Sequence, residues 1–511
     1  MESLTETLWD VTISGTGLAQ SLLALALSRS GKKVLHVDKN KYYGGSEAAF
    51  SLQEAQEWVD LVNAESSQMP FEDAQVYIPS DSTETGVGSL SPSRAYTLAL
   101  SPQLIYSRSQ LLPTLVSSKV YRQLEFQAVG SWWVHAHAGG SRDTDADALR
   151  GLYRVPSSRE DVFADEMITT KSKRTLMRFL RHIGKAQQED QGPSDAEEED
   201  LSMSFPEYLT SRFQVPEELH EPLLSLSLSQ DAPQQTPASF AIPRVKRHLA
   251  SIGVFGAGFG SLLAKWGGGS EISQVGCRAL AVGGGVYVLN TGVQAISKVA
   301  DLAHLAVELS NGETVTSRHV VGSHWDLPSP STPDCQKVAR SITIVASPLD
   351  HLFPVTAEGS PIPSGAVVVF PGSALGQEGD PPVYLLAHSS ETGECPLGQS
   401  VIYGSVAIPG PRGHTLLESA VEKLVHPARI LWSLRYTQLG RASAVDDAAQ
   451  AVQSSGFAEN VFCFPPPSLD LAFDDGLIDL VRAVWRGVMG DEARDEEFLN
   501  FDDREEQLVD A

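Results

Sequence analysis

The sequence predicts an α/β protein: a sheet domain that opens with a parallel βαβ unit and is interrupted by an all-helical insertion. Three observations predict it: a strand–turn–helix–strand pattern in the first forty residues, helical periodicity between about 157 and 249, and β-branched runs that return after Gly267.

Trp9 to Ser14 is a short β-rich run, and Gly15-Thr16-Gly17 breaks it. Leu18 to Ser30 places Leu and Ala on most positions and reads as a helix that Gly31 stops. Lys33 to Asp38 is a second buried strand. A βαβ unit of this length is the usual opening of a dinucleotide-binding domain, whose turn reads G-x-G-x-x-G so that the helix packs close and a pyrophosphate finds room. Here the turn reads Gly15-Thr16-Gly17-Leu18-Ala19-Gln20, with a long polar side chain at the third glycine's place. Asp38 stands where an acidic residue would bind a ribose. The motif is half kept, and the reading preferred is a tight turn with vestigial Gly15, Gly17 and Asp38. No cofactor and no metal are expected.

From 157 to 249, Lys173 to Arg181 is amphipathic with helical spacing, and Phe205–Phe213, Glu217–Ser229 and Ser239–Leu249 can each hold a helix between proline breaks. The expected organisation is a first sheet portion over 1–155, a helical domain over 156–250, and a second sheet portion over 251–490. Within the helical domain, Gln187 to Asp200 reads as a solvated acidic loop, and 491–511 as an acidic mobile tail. No internal repeat is evident.

With 38 Lys+Arg against 64 Asp+Glu, the chain has a formal net charge of −26. That field repels nucleic acid, and no basic patch offsets it. The four cysteines, Cys277, Cys335, Cys395 and Cys463, form no CxxC, so a disulfide framework or zinc site is not indicated. Their free thiols suit a cytosolic protein. The N-terminal stretch lacks signal-peptide character, no run reaches the roughly 18 apolar residues of a membrane helix, and EEQLVDA carries no lipidation signal.

Catalytic motifs are missing. His135 and His137 flank Ala136, a spacing that suits neither a helical metal pair nor a zinc site. G-x-S-x-G does not occur, and Gly258-Phe259-Gly260-Ser261 lacks the lysine of a phosphate-binding loop. The chain is expected to catalyse nothing.

Leu35-His36-Val37-Asp38-Lys39-Asn40-Lys41-Tyr42-Tyr43-Gly44-Gly45 resembles the superfamily shared by Rab GDP-dissociation inhibitors and Rab escort proteins. Ser270 to Arg278, followed by Gly283 to Leu289, is similar to that family's GELPQxxxR…GGxYxL segment, with Ser270 and Ser273 departing from its Gly and Pro. Tyr121 to Phe126 resembles a family strand. Ser389 to Tyr403, Ile430 to Tyr436 and Phe473-Asp474-Asp475 look like escort proteins rather than inhibitors.

The resemblance implies a GDI-like, flavoprotein-like fold and a non-catalytic accessory (component A) role. Such a protein binds GDP-bound Rab GTPases, presents them to the α/β heterodimer of Rab geranylgeranyltransferase, and delivers the geranylgeranylated product to membranes. It places Tyr43, Glu271, Gln274, Arg278 and the Tyr287 region on a Rab-binding platform. Arg278 and Tyr43 are residue types favoured as interface anchors; the alternative is that Arg278 and Glu271 form an internal salt bridge and that Tyr287 is partly core. Phe179 lies on the stretch resembling the escort helix that docks on the transferase, either as an exposed anchor or, at i+3 from Leu176, as core. A Rab GDP-dissociation inhibitor and an FAD-dependent oxidoreductase remain as alternative readings.

Overall fold

The computed structural model describes residues 4–64, 69–79, 88–135, 151–157, 159–185, 195–299, 304–328, 334–356, 359–441, 452 and 460–501. A first sheet is built on a parallel ladder running Val286–Val288, Val34–Val37, Leu8–Ser14, Thr314–Ser323 and Val461–Phe464. Thr314–Ser323 also starts an antiparallel meander with Leu305–Leu309 and Val293–Lys298. Ile13 pairs with His36 on one side and Val321 on the other, which brings the C-terminal ends of three strands to one edge beside the Gly15 turn.

The opening helix, Leu18–Arg29, is buried along nearly its whole length because two further helices cover it. These are Gly269–Val282 and Gly476–Met489, in a stretch whose patterning predicts a return to β structure. In Gly476–Met489, Ile478, Val481, Val484, Trp485 and Val488 make a buried stripe at helical spacing. Gly269–Val282 comes close enough to the opening helix that a Cβ on Gly276 would stand 3.5 Å from Ser21 Cβ. A third helix in the same stretch, Gly410–Leu424, covers the second sheet.

That second sheet runs from Phe71–Tyr77 through Ile430–Gly440, Gln336–Val345, Ser400–Val406, Val383–Ser389, Gly365–Phe370 and Phe126–His135 to Ser261–Ala264 and Ile105–Tyr106. Its pairs are antiparallel except Gly365–Phe370 with Phe126–His135. Helices Thr170–Lys185, His220–Ser225 and Ala238–Ser251 form a layer whose core is continuous with this sheet. The segment Ser468–Asp475 ties the two: Asp470 pairs with Arg244 and Asp475 with Arg247, both on Ala238–Ser251, while Arg340 of the sheet donates to Leu469 O at 2.8 Å.

Several local expectations are corrected. Of the acidic run Gln187–Asp200, residues 195–200 belong to the helix Asp195–Ser202, and 187–194 lie outside the described residues. The tail beyond 490 is anchored as far as 501: Phe498 sits T-shaped against Trp485 at 5.5 Å and Leu499 is buried, because this stretch covers the end of Gly476–Met489. Residues 502–511 lie outside the described set. Val120–Gln123 is a 3-10 turn leading into the strand Phe126–His135, not part of a strand.

Candidate functional site: a closed nucleotide turn and a half-exposed aromatic–cationic face

The turn after the first strand needs Gly15, whose φ of 91° lies in the left-handed region. What surrounds it decides what it can hold. Asp38 Oδ2 accepts from Thr16 N–H and from the Thr16 hydroxyl, each at 2.7 Å, and Asp38 Oδ1 accepts from Asn40 N–H at 2.7 Å. The Asp326 carboxylate lies directly over Gly15, where a Cβ would clash with its Oδ2, and it accepts from Gln20 Nε2 at 3.1 Å. Glu47 Oε2 accepts from Leu18 N–H at the start of the opening helix, at 3.3 Å.

Burial, then the nearby Asp326 charge, raises the Asp38 carboxyl to about 6 against the bonds from Thr16 and Asn40. Burial also raises Asp326 and Glu47. His36 Nε2 lies 2.6 Å from Gly15 O, and burial lowers the imidazole to about 4. It is therefore neutral and donates this bond.

A dinucleotide does not fit these residues. Its pyrophosphate would need the helix N-terminus and the Gly-rich turn, and both are already faced by carboxylates. The cavity left beside the turn, between Gly17, Tyr42, Trp325, Asp326 and Pro465–Pro467, measures about 110 Å³. Ligand pockets typically measure roughly 300–1,000 Å³.

The same turn holds up a surface. Gly44 N–H donates to Thr16 Oγ1 at 3.1 Å and to Thr16 O at 3.2 Å. Gly44 and Gly45 take φ of 97° and 51°, and a Cβ on Gly44 would meet Ala48 backbone at 3.0 Å, so the double glycine is a steric requirement. The sharp bend splits the tyrosine pair: Tyr42 packs edge-on to Phe50 at 4.8 Å, whereas Tyr43 meets Tyr287 edge-on at 5.8 Å. Tyr287 arrives by the strand Val286–Val288, where it pairs with His36.

Arg278, more than half exposed, reaches Glu271 Oε1 at 3.3 Å, and its charge acts on Tyr43. Gln274 Nε2 bonds Ser270 Oγ at 3.4 Å. Burial raises the Glu271 carboxyl, with Arg278 opposing. Tyr43, Tyr287, Arg278, Glu271 and Gln274 are thus assembled from one loop, one strand and one helix, although the Arg278–Glu271 pair exists internally as well.

Phe179 is elsewhere and fully buried, packed on Phe205 and Phe213 at centroid distances of 6.2 and 5.3 Å. An exposed docking phenylalanine at this position is corrected: its i+3 partner Leu176 and Ile183 turn that face of Thr170–Lys185 inward. His135 stacks on Phe370 at 5.1 Å, and His137 lies outside the described residues. Ser389 to Tyr403 is mostly interior. His388 Nδ1 and Tyr403 OH meet Glu394 Oε2 at 2.7 and 3.2 Å, and Gln399 Oε1 accepts from Tyr96 OH at 2.8 Å. No helix among the described residues is long and apolar enough to cross a membrane.

The GDP dissociation inhibitor family model matches residues 5–429. Over 81% of its length the chain is 31% identical to the Rab proteins geranylgeranyltransferase component A of Saccharomyces cerevisiae, and it spans 64% of that protein. It is 28% identical over 98% of its length to the Drosophila melanogaster protein of the same name, spanning 92% of it. Against the Rab GDP-dissociation inhibitor of Saccharomyces cerevisiae it is 24% identical over 82% of its length and 84% of that protein. The Plasmodium falciparum Rab GDI structure superposes with a TM-score of 0.64 at 19% identity, covering 95% of this chain and 99% of that one. An oxidoreductase from Methanosarcina mazei superposes at 0.53 and 13% identity, covering 94% and 98%, so the fold is shared with proteins of both kinds.

Proposed function

Because the chain belongs to the GDP dissociation inhibitor family, we propose that it works as an escort subunit. In this reading it binds newly made GDP-bound Rab GTPases, presents them to a Rab geranylgeranyltransferase heterodimer, and carries the prenylated product toward membranes. The observation that carries the reading is the face on which half-buried Tyr43 and Tyr287 meet beside exposed Arg278, built onto a turn closed to a pyrophosphate by Asp38, Asp326 and Glu47. A face of this kind, two rigid aromatics beside a forked cation, is suited to gripping a protein. The chain's own part is recognition and positioning, and the chemistry of prenyl transfer belongs to the transferase.

The escort reading is preferred over an inhibitor because identity is higher to the two component A proteins than to the yeast inhibitor. The transferase contact is proposed on the outer face of Thr170–Lys185, where Arg174, Arg178 and Arg181 are exposed, with Phe179 supporting it from within.

The test is reconstitution. Adding the chain to a transferase heterodimer, an unprenylated Rab and geranylgeranyl diphosphate is expected to start prenyl transfer. Transfer at background, with extraction of prenylated Rab from membranes intact, would replace the escort reading by the inhibitor one. Flavin absorbance in the purified protein would defeat both. Arg278→Ala is expected to weaken Rab binding without shifting the melting temperature.

A further inference from the structure

Glu271, Gln274 and Arg278 stand at i, i+3 and i+7 of the helix Gly269–Val282, and Val282 follows at i+11. Eleven residues are close to three full turns, so all four lie on one stripe. Exposure grows along it: the Glu271 side chain is mostly covered, that of Arg278 is 52% exposed, and Val282 is 68% exposed. The opposite face, with Ser273, Gly276, Cys277 and Leu280, is buried, so the helix cannot turn to hide the valine. Gly283, Gly284 and Gly285 come next and offer no side chain to cover it, and the strand bearing Tyr287 follows them.

An apolar side chain kept in water at the end of a polar stripe gains free energy when a partner removes it from water. Arg and Tyr, which this face also carries, are enriched in interface hot spots, and contacts beside a hot spot keep water out of it. Resting on the reading of this face as a Rab-binding platform, we propose that Val282 is the platform's apolar anchor. It takes an apolar side chain of the GTPase, while one turn back Arg278 meets a carboxylate or carbonyl oxygen of the same partner.

The experiment titrates a fluorescently labelled, GDP-loaded, unprenylated Rab with the full chain and with Val282→Asp, Val282→Ser, Val282→Leu and Arg278→Ala, each checked by thermal melting. Val282→Asp is expected to weaken binding about tenfold or more, Val282→Ser by several-fold, and Val282→Leu by less than about twofold. If Val282→Asp fails to fold, Val282→Ser decides. Parent-like affinity of the folded Asp or Ser variant beside a weakened Arg278→Ala overturns the anchor and leaves the platform standing. Parent-like affinity of Arg278→Ala as well overturns both.

Discussion

One oxygen of Asp38 accepts two hydrogen bonds from Thr16, from its N–H and from its hydroxyl, both at 2.7 Å. The Thr16 hydroxyl accepts in turn from Gly44 N–H. A carboxylate at the place of a ribose contact is thereby turned back onto the glycine turn, and the turn positions the Tyr42–Gly45 bend that aims Tyr43 at Tyr287.

Thr16→Val tests this chain of bonds. The substitution is nearly isosteric but takes one donor from a buried carboxylate and one acceptor from Gly44. Hydrogen bonds to charged groups contribute about 1.5–3 kcal/mol, and a loss in that range is expected in urea unfolding. Rab affinity is expected to fall as well; unchanged affinity would separate Tyr43 from the turn.

Two buried histidines set an acid response. Burial lowers His36 and His248 to about 4, below the 6.5 of an exposed imidazole. The unfolded chain therefore binds these protons first. Their contribution to stability is present above pH 6.5 and is lost as pH falls toward 4, at roughly 3 kcal/mol each. Asp38, raised from 3.8 to about 6, runs the other way, as do the raised Asp326 and Glu47 carboxyls, so the histidine part is isolated by substitution. His248→Phe keeps the ring beside Trp132, 4.5 Å away, and removes one titrating group. Its stability is expected to vary with pH by about one proton less between pH 6.5 and 4; an identical slope would show that His248 does not titrate on unfolding.

Gly276 controls how near Gly269–Val282 comes to the opening helix. A methyl group there would make ordinary contact with Ser21 at 3.5 Å, so Gly276→Ala is expected to be tolerated or to stabilise by up to about 1 kcal/mol through helix propensity. Gly276→Leu has no such room. Overpacking of this kind costs about 1–3 kcal/mol, and displacement of Arg278 is expected to reduce Rab binding beyond what the melting temperature accounts for.

The Arg244–Asp470 pair joins the helical layer to the segment that Arg340 holds to the sheet. Asp470→Asn leaves the largely covered guanidinium without its counter-charge, and a loss of roughly 2 kcal/mol is expected. Hydrogen exchange should rise first in Ala238–Ser251; a uniform rise across both sheets would show that the pair is not a local tie.

The opening βαβ unit could be read from the chain because period-two and helical patterning meet at glycines that nothing else explains. The motif pointed to Arg278, Glu271 and Tyr43, and the fold brings these three side chains near one another. The helix carrying them was not legible: GSEISQVGCRALAV is rich in Gly, Ser and β-branched residues, and its helicity comes from packing on Leu18–Arg29. Phe179 was undecidable from spacing, since a residue at i+3 from a leucine suits a core and a docking face alike. Val282 left no sequence signal, because an exposed valine becomes informative only once its neighbours are known to be buried.

The first sheet draws its strands from residues 8–37, 286–323 and 461–464, with Val461–Phe464 completing one flank of Thr314–Ser323. Tyr43 and Tyr287 are likewise far apart along the chain. During synthesis the Tyr43–Tyr287 face cannot exist on a nascent chain that ends before Tyr287, and the layer behind it closes only when Gly476–Met489 covers the opening helix. A ribosome-bound fragment would hold its exposed Leu-rich opening helix for most of translation. Dependence on chaperones, rather than on any ligand, is the expected signature of this order of assembly.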